Sequence, residues 1–259
     1  MEIYQSIILG ILQGLTEWLP VSSSGHLAIA QNLFNLENPI FFDIILHVAT
    51  LIVLFIVFRN EISMIFKAIF TWDKDSKYFR WGWYLVIANI GTAIIGLTFR
   101  NFFASLFSSL IAVGIALMIN GIILELSSLK EGFKRIEAKS AFAMGLAQGI
   151  AIIPGISRSG ATITTGMLMK AEKEDAAKFS FLMSIPAIIG AAILEGASFS
   201  WKSFELLPFA LGFVFSGIVG YVTLNWLMKI IARGKFYKFS YYSFGIGLLA
   251  LIIAILGKA

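Results

Sequence analysis

Ile153-Pro154-Gly155-Ile156-Ser157-Arg158-Ser159-Gly160-Ala161-Thr162 lies between two apolar segments, each too short to cross a bilayer. A Pro-Gly pair breaks the first segment, and a serine-rich turn with one arginine opens the second. Small residues such as Gly155, Ser159 and Gly160 let helices approach closely, which accounts for part of the pattern. Arg158 is different, because a charged side chain at membrane depth faces a cavity or a partner and marks function. The stretch therefore predicts the polar tip of a re-entrant helical hairpin.

An earlier segment has the same plan. Shifted by 135 positions without a gap, Gly10, Gln13, Gly14, Ser22, Ser24 and Gly25 align with Gly145, Gln148, Gly149, Ser157, Ser159 and Gly160. Gln13-Gly14-Leu15-Thr16-Glu17-Trp18-Leu19-Pro20-Val21-Ser22-Ser23-Ser24-Gly25-His26 is again a short apolar helix, a proline break, a serine-rich turn and a second short helix. Hydrophobic segments broken by Gly and Pro at matching places in two halves point to a binding site at the repeat interface. Each half brings what the other lacks: Glu17 and His26 from the first, Arg158 and Thr162 from the second.

Composition sets the class. Of 259 residues 58% are hydrophobic and 14% charged, with a mean hydropathy of +0.86, which excludes an ordinary soluble domain. The chain reads as one all-α integral membrane domain over 1–259, with about six transmembrane helices and two re-entrant hairpins related as an inverted repeat. The first repeat covers about 1–124 with its hairpin at 3–34. The second covers about 141–257 with its hairpin at 141–170. Full spans fall at about 40–58, 83–99, 106–124, 179–197, 207–228 and 241–257, and an amphipathic piece at 61–70 suits the membrane surface. Trp81 and Trp83 suit the interface belt, and Asn89, Asn120 and Asn225 read as interhelical hydrogen bonds. The absence of cysteine rules out disulfides, thiolate catalysis and Cys-ligated metals. No cleavable signal is evident at the N-terminus. The net charge of +5 is the basic loop excess of a membrane protein and requires no nucleic-acid partner.

If both hairpins return to the side they entered, sixteen Lys and Arg residues fall in segments 59–82, 125–140, 170–178 and 229–240. Only Arg100, Lys202 and Lys258 fall opposite. That bias puts the basic segments in the cytoplasm and both termini outside the plasma membrane. The hairpins then enter from opposite faces and meet near the midplane.

At the meeting place two helix N-termini and a guanidinium form a site for an anion, most naturally phosphate. Ser22, Ser24, Gly25, Arg158, Ser159 and Gly160 are its candidate ligands. Gln13 and Glu17, four apart, share a helix face, and buried Glu17 needs a cation: Arg158 or a divalent metal. Magnesium commonly joins one or two carboxylates to substrate phosphates. His26 is read as an acid–base group near the turn. His47, with Asp43 at i−4, is either a structural hydrogen bond or a contact behind the site. Ser22, Ser23, Ser24, Ser157 and Ser159 each suit a helix cap, a phosphate ligand or a nucleophile. Attack by metal-activated water stands beside them.

The two tips resemble the signatures of the undecaprenyl-diphosphate phosphatases, the bacitracin-resistance membrane family, which read roughly (E/Q)GLTEFLP(V/I)SSSGH and PGxSRSGAT. The likeness continues through Phe42-Asp43-Ile44-Ile45-Leu46-His47 and Phe179-Ser180-Phe181-Leu182-Met183-Ser184-Ile185-Pro186. One departure is Gln13, where many members carry a carboxylate. The resemblance implies a hydrolase dependent on a divalent cation, Mg2+ or Ca2+. It would turn a long-chain polyprenyl diphosphate into the monophosphate and phosphate, recycling a lipid carrier for cell-envelope glycans and giving bacitracin resistance. It implies a catalytic set of Glu17, Ser23, His26, Ser157, Arg158 and Thr162, with Glu17 and Gln13 facing the metal. The bilayer and the lipid are the expected partners, with a homodimer left open. A polyprenyl-phosphate flippase is the alternative, since broken-helix inverted repeats are also transporter architecture.

Overall fold

The computed structural model describes residues 1–36, 40–107, 109–128, 132–196 and 206–256. Among them twelve helices form and no strand. They are α1 Ile3–Thr16, α2 Ser23–Leu33, α3 Ile40–Val57, α4 Arg59–Phe70, α5 Lys77–Thr98 and α6 Arg100–Leu106. The second half follows a helix α7 Leu110–Leu126, with α8 Ala138–Ile150, α9 Arg158–Leu168, α10 Lys173–Gly196, α11 Leu206–Ala232 and α12 Phe239–Leu256. Four of these are long and apolar enough to span a bilayer alone, and two bent pairs raise the number to six. One bent pair joins α3 and α4, which turns by 72° off the span. As its sequence suggests, α4 is two-faced, burying Ile65 and Ala68 while exposing Phe66 and Phe70. The span expected at 83–99 starts earlier, where Ser76 Oγ caps α5 by accepting from the Tyr78 N–H at 3.2 Å.

Both hairpins close on themselves. Tyr4 near the start of α1 meets Phe34 at the end of α2, with ring centroids 6.1 Å apart. In the second half, the Lys134 N–H donates to Lys170 O at 2.9 Å and the Glu172 N–H donates to Lys134 O at 3.0 Å. The chain therefore leaves each hairpin where it entered. Glycine permits the close packing that holds them: a Cβ on Gly10 would collide with the Gly212 carbonyl of α11, and one on Gly145 with the Ala88 carbonyl of α5. So α1 lies on α11 as α8 lies on α5, the same contact made twice. Between them α7 and α12 cross antiparallel, with Gly114 against Leu251 and Gly121 against Phe244.

The four basic segments gather at one end, as the charge distribution requires. Lys77 pairs with Asp175 at 2.9 Å and Lys178 with Glu61 at 3.1 Å. Ser240 donates to Glu125 at 2.8 Å, and the strand-like contact of Lys134 with Ala171 joins the remaining loop. At the other end Met1, Phe34, Leu36 and Phe41 pack around Phe42 and Phe209.

Two sequence expectations fail. Trp81 is a core residue, not part of an interface belt: it is buried and packs edge-on against Phe179 at 5.6 Å, while Trp83 is exposed. Asn225 bonds within its own helix, to Tyr221 O, so it joins no second helix. Asn89 does cross, from α5 to Met183 O on α10.

Gly145→Ala should destabilise the protein by about 1–3 kcal/mol, because the methyl group meets backbone that cannot yield. Gly217→Ala, where an added Cβ would meet no other element of the described residues within 4 Å, should instead gain about 0.5–1 kcal/mol from reduced backbone entropy. Thermal unfolding in one detergent distinguishes the two, and equal shifts would refute the packing account.

Candidate active site

Helix α1 ends at Thr16, and the six residues 17–22 carry the chain across Pro20 into α2. Ser22 caps α2, its Oγ accepting from the Gly25 N–H at 3.3 Å. Ser157 caps α9 in the same way, accepting from the Gly160 N–H at 3.2 Å. Each cap also faces a second hydroxyl, Ser24 and Ser159 respectively, both at 3.2 Å. The tips interlock. Ser22 Oγ accepts from the Gly155 N–H at 3.1 Å, and Ser159 Oγ donates to Trp18 O at 2.9 Å.

Glu17 is where the tips converge. One oxygen, Oε1, is paired with Arg158 Nη2. The other, Oε2, accepts from Ser23 Oγ at 2.7 Å and from Gln13 Nε2 at 3.0 Å, with His47 Nε2 at 3.5 Å. Ser23 and Arg158 occupy equivalent positions, each the first residue of its hairpin's second helix. Two matching places in the repeat thus deliver a hydroxyl and a guanidinium to a single carboxylate. Only 5% of the Glu17 side chain is exposed and 16% of Arg158, so the pair is desolvated and each charge needs the other. Beneath, the indole of Trp18 lies 5.9 Å from the guanidinium carbon. Among the described residues, Arg158 Nη1 and Gln13 Oε1 are buried without a partner, one donor and one acceptor beside the carboxylate.

The histidines change places. His26 does not join this constellation: its Nδ1 lies 2.8 Å from Ser22 O and its Nε2 2.9 Å from the hydroxyl of Tyr242 on α12. A carbonyl only accepts, so the neutral ring carries its proton on Nδ1 and accepts a hydrogen bond from the Tyr242 hydroxyl at Nε2. His47 stands at Glu17 instead. Its Nδ1 lies 2.7 Å from Asp43 O, so the aspartate's backbone, not its carboxylate, orients the ring. The Asp43 carboxylate accepts from Gln31 Nε2 at 2.6 Å. Thr162 is directed elsewhere, donating to Arg158 O at 2.8 Å and facing Ser180 Oγ at 2.6 Å. His47 is signalled by its i−4 spacing from Asp43 and by the Phe42–His47 stretch, whereas no sequence signal points to Tyr242, which comes from a helix remote from the motifs.

The groups that could hold a divalent cation form a small donor set. Among the described residues no group of three or more His, Asp or Glu gathers to hold one. Glu17 and the unpartnered Gln13 Oε1 supply two oxygens on one helix face, which suits a cation completed by phosphate oxygens.

The fold and site are those of a multispan α-helical membrane protein whose two hairpin tips meet at a buried carboxylate–guanidinium pair. Residues 6–249 match the sequence profile described as "Bacitracin resistance protein BacA". The chain belongs to that family. It is 42% identical to an undecaprenyl-diphosphatase of Carboxydothermus hydrogenoformans, with 100% of both chains covered. An undecaprenyl-diphosphatase of Desulforapulum autotrophicum is 41% identical over 97% of this chain and 98% of its own. One from Methanobrevibacter smithii is 37% identical, covering 97% and 98%.

Arg158→Ala should cost about 3–5 kcal/mol of stability by stranding a buried carboxylate. Adding Glu17→Gln should restore much of that stability and none of the activity. Melting curves and turnover of the single and double variants test this. Recovery of turnover in the double variant would make the pair merely structural.

Proposed function

We propose that this site hydrolyses undecaprenyl diphosphate, or a similarly long polyprenyl diphosphate, to the monophosphate and phosphate. The observation that carries the reading is the convergence of Ser23 and Arg158 on Glu17 at two helix N-termini. Caps Ser22 and Ser157 orient those termini, and their free N–H groups with Arg158 suit the oxygens of a diphosphate. The lipid tail lies among apolar helices. Removal of the diphosphate form accounts for resistance to bacitracin in this family. The relatives bear a hydrolase's name, and no feature of the site favours the flippase.

Ser23 is the hydroxyl best placed as nucleophile, since it already donates to a carboxylate at 2.7 Å, while Ser22 Oγ is engaged by two N–H groups. Ser23 Oγ bonds to the terminal phosphorus, its proton passes to Glu17, and the anhydride bond breaks to release the lipid monophosphate. Water then cleaves the serine phosphate, with Glu17 in reach of both oxygens. Arg158 neutralises charge developing on the phosphoryl group. A divalent cation held by Glu17 and Gln13 Oε1, probed as Mg2+ or Ca2+, would supply Lewis-acid stabilisation of the diphosphate. His26 with Tyr242 lies on the other flank of the Ser22 turn, as a group that can relay a proton.

Purified protein given polyprenyl diphosphate should release phosphate. Ser23→Ala and Glu17→Gln should each lower kcat by about 10²–10⁴-fold, the range of an acid–base contribution. Near-normal kcat in Ser23→Ala would assign the attack to water with Glu17 as base.

The termini and the Glu17 hairpin are assigned to the outer face, with hydrolysis from the outer leaflet. The charge bias supports this, because the four basic segments share one end. Single cysteines at positions 38, 76 and 128 test it; Asn38 lies outside the described residues, whereas Ser76 and Ser128 lie within them. An impermeant thiol reagent on intact cells should label only position 38. The reverse pattern would invert the topology.

A further inference from the structure

We infer that Asn120 of α7 is a positioning residue, which fixes the two hairpin tips against each other and thereby sets the geometry of Glu17, Ser23 and Arg158. Asn120 is wholly buried. Its Nδ2 donates to Pro20 O at 2.8 Å and to Ser243 Oγ of α12 at 3.0 Å. Its Oδ1 accepts from the Ser157 N–H at 2.9 Å. The orientation of the amide follows from these partners, because a carbonyl only accepts and a backbone N–H only donates.

One short side chain thus holds the first tip two residues before Ser22 and the second tip one residue before Arg158. Both backbone groups lie in turns, outside any helical ladder, and at membrane depth such groups must be satisfied from within the protein. A hydrophobic residue at 120 would leave the Pro20 carbonyl and the Ser157 N–H without this partner. Its contacts go to the backbone of the turns, not to the reacting groups, so Asn120 acts through Ser22–Ser23 on one side and Arg158 on the other.

The rest of α7 supports the same role. Ile156 and Ala161 of the second hairpin pack against Ala116. A Cβ on Gly155, which has φ +105°, would come within 2.6 Å of Val113 O and 2.7 Å of the Ala116 Cβ. The second tip is therefore seated directly on the helix that carries Asn120. A hydroxyl and a guanidinium from different halves can converge on one carboxylate only if the spacing of the halves is fixed, and Asn120 spans that spacing.

The inference rests on the placement of the site at Glu17 and Arg158, and its test separates the two. Asn120→Asp keeps the acceptor for Ser157 and replaces the donor to Pro20 with oxygen. Asn120→Gln keeps both hydrogen-bonding functions but lengthens the reach by one methylene. Turnover of polyprenyl diphosphate is measured per folded molecule on monodisperse protein, alongside the thermal midpoint. Each variant should lose about tenfold or more in kcat, with KM within about threefold, as expected when reacting groups are displaced and ground-state binding persists. Rescue of kcat by Asn120→Gln, wild-type kcat with only a lowered midpoint, or a KM that rises as far as kcat falls would each overturn the inference. Should Arg158→Ala keep full activity, the site assignment itself fails. Asn120 variants with wild-type kcat beside a folded but inactive Arg158→Ala protein sink only the positioning role.

Discussion

The pairing of Glu17 with Arg158 is the constraint on which the rest of the structure depends. Neither charge can be placed at membrane depth alone, and they come from different halves of the chain. Each hairpin is therefore incomplete without the other: the first would bury an unpaired carboxylate, the second an unpaired guanidinium. The surrounding contacts enforce the meeting. Ser22 takes the Gly155 N–H, Ser159 reaches the Trp18 carbonyl, and the glycines at 10 and 145 let both hairpins press against their partner helices. A buried pair of this kind gives little net stability, since desolvation offsets much of its attraction. Its value lies in fixing one arrangement and in holding a charged group ready where lipid would otherwise exclude it.

The repeat supplies a symmetric frame for asymmetric chemistry. Both tips use the same cap, serine to glycine N–H, and the same paired hydroxyls. Within that frame the equivalent places differ. Glu17 corresponds to Ile152, His26 to Ala161, and Ser23 to Arg158. Only one tip carries a base, and only the other a permanent cation. An anion bound between two helix N-termini thus sees a proton acceptor on one side and fixed positive charge on the other. That polarity is what bond cleavage at phosphorus requires, and two identical tips would not provide it.

What the sequence disclosed, and what it hid, follows from the range of each interaction. The hairpins and the caps are encoded in local motifs, because Pro breaks and Ser caps act over a few residues, whereas the motifs leave Arg158 and a divalent metal both open as the partner of Glu17. His47 and Asn120 were harder to place. Each sits in an apolar span, and its role comes from which element lies opposite. His26 shows the converse: it stands within the signature, yet its ring bonds back to Ser22 O and outward to Tyr242, away from Glu17. Trp81 resembles an interface residue by position along its helix, but α10 brings Phe179 over it and makes it core. Composition indicates depth; packing determines direction.

Charge balance carries the argument one step further, to the role of a cation. In the free protein Glu17 and Arg158 cancel, and Ser23, Gln13 and His47 complete the carboxylate's contacts. A diphosphate monoester brings about two to three negative charges at neutral pH, each phosphate ionising as phosphate groups on proteins do. Arg158 can turn its unpartnered Nη1 towards that anion, but one guanidinium offsets one charge and must then be shared with Glu17. His47, whose Nδ1 is committed to Asp43 O, adds at most one more when Nε2 is also protonated. A divalent cation, were one to arrive with the substrate and be held by Glu17 and Gln13 Oε1, would close the difference. With the carboxylate so occupied, Arg158 would be free to turn to the phosphoryl group. On this account Gln13 suffices where many members of the family carry a second carboxylate, because the diphosphate itself supplies the remaining negative oxygens.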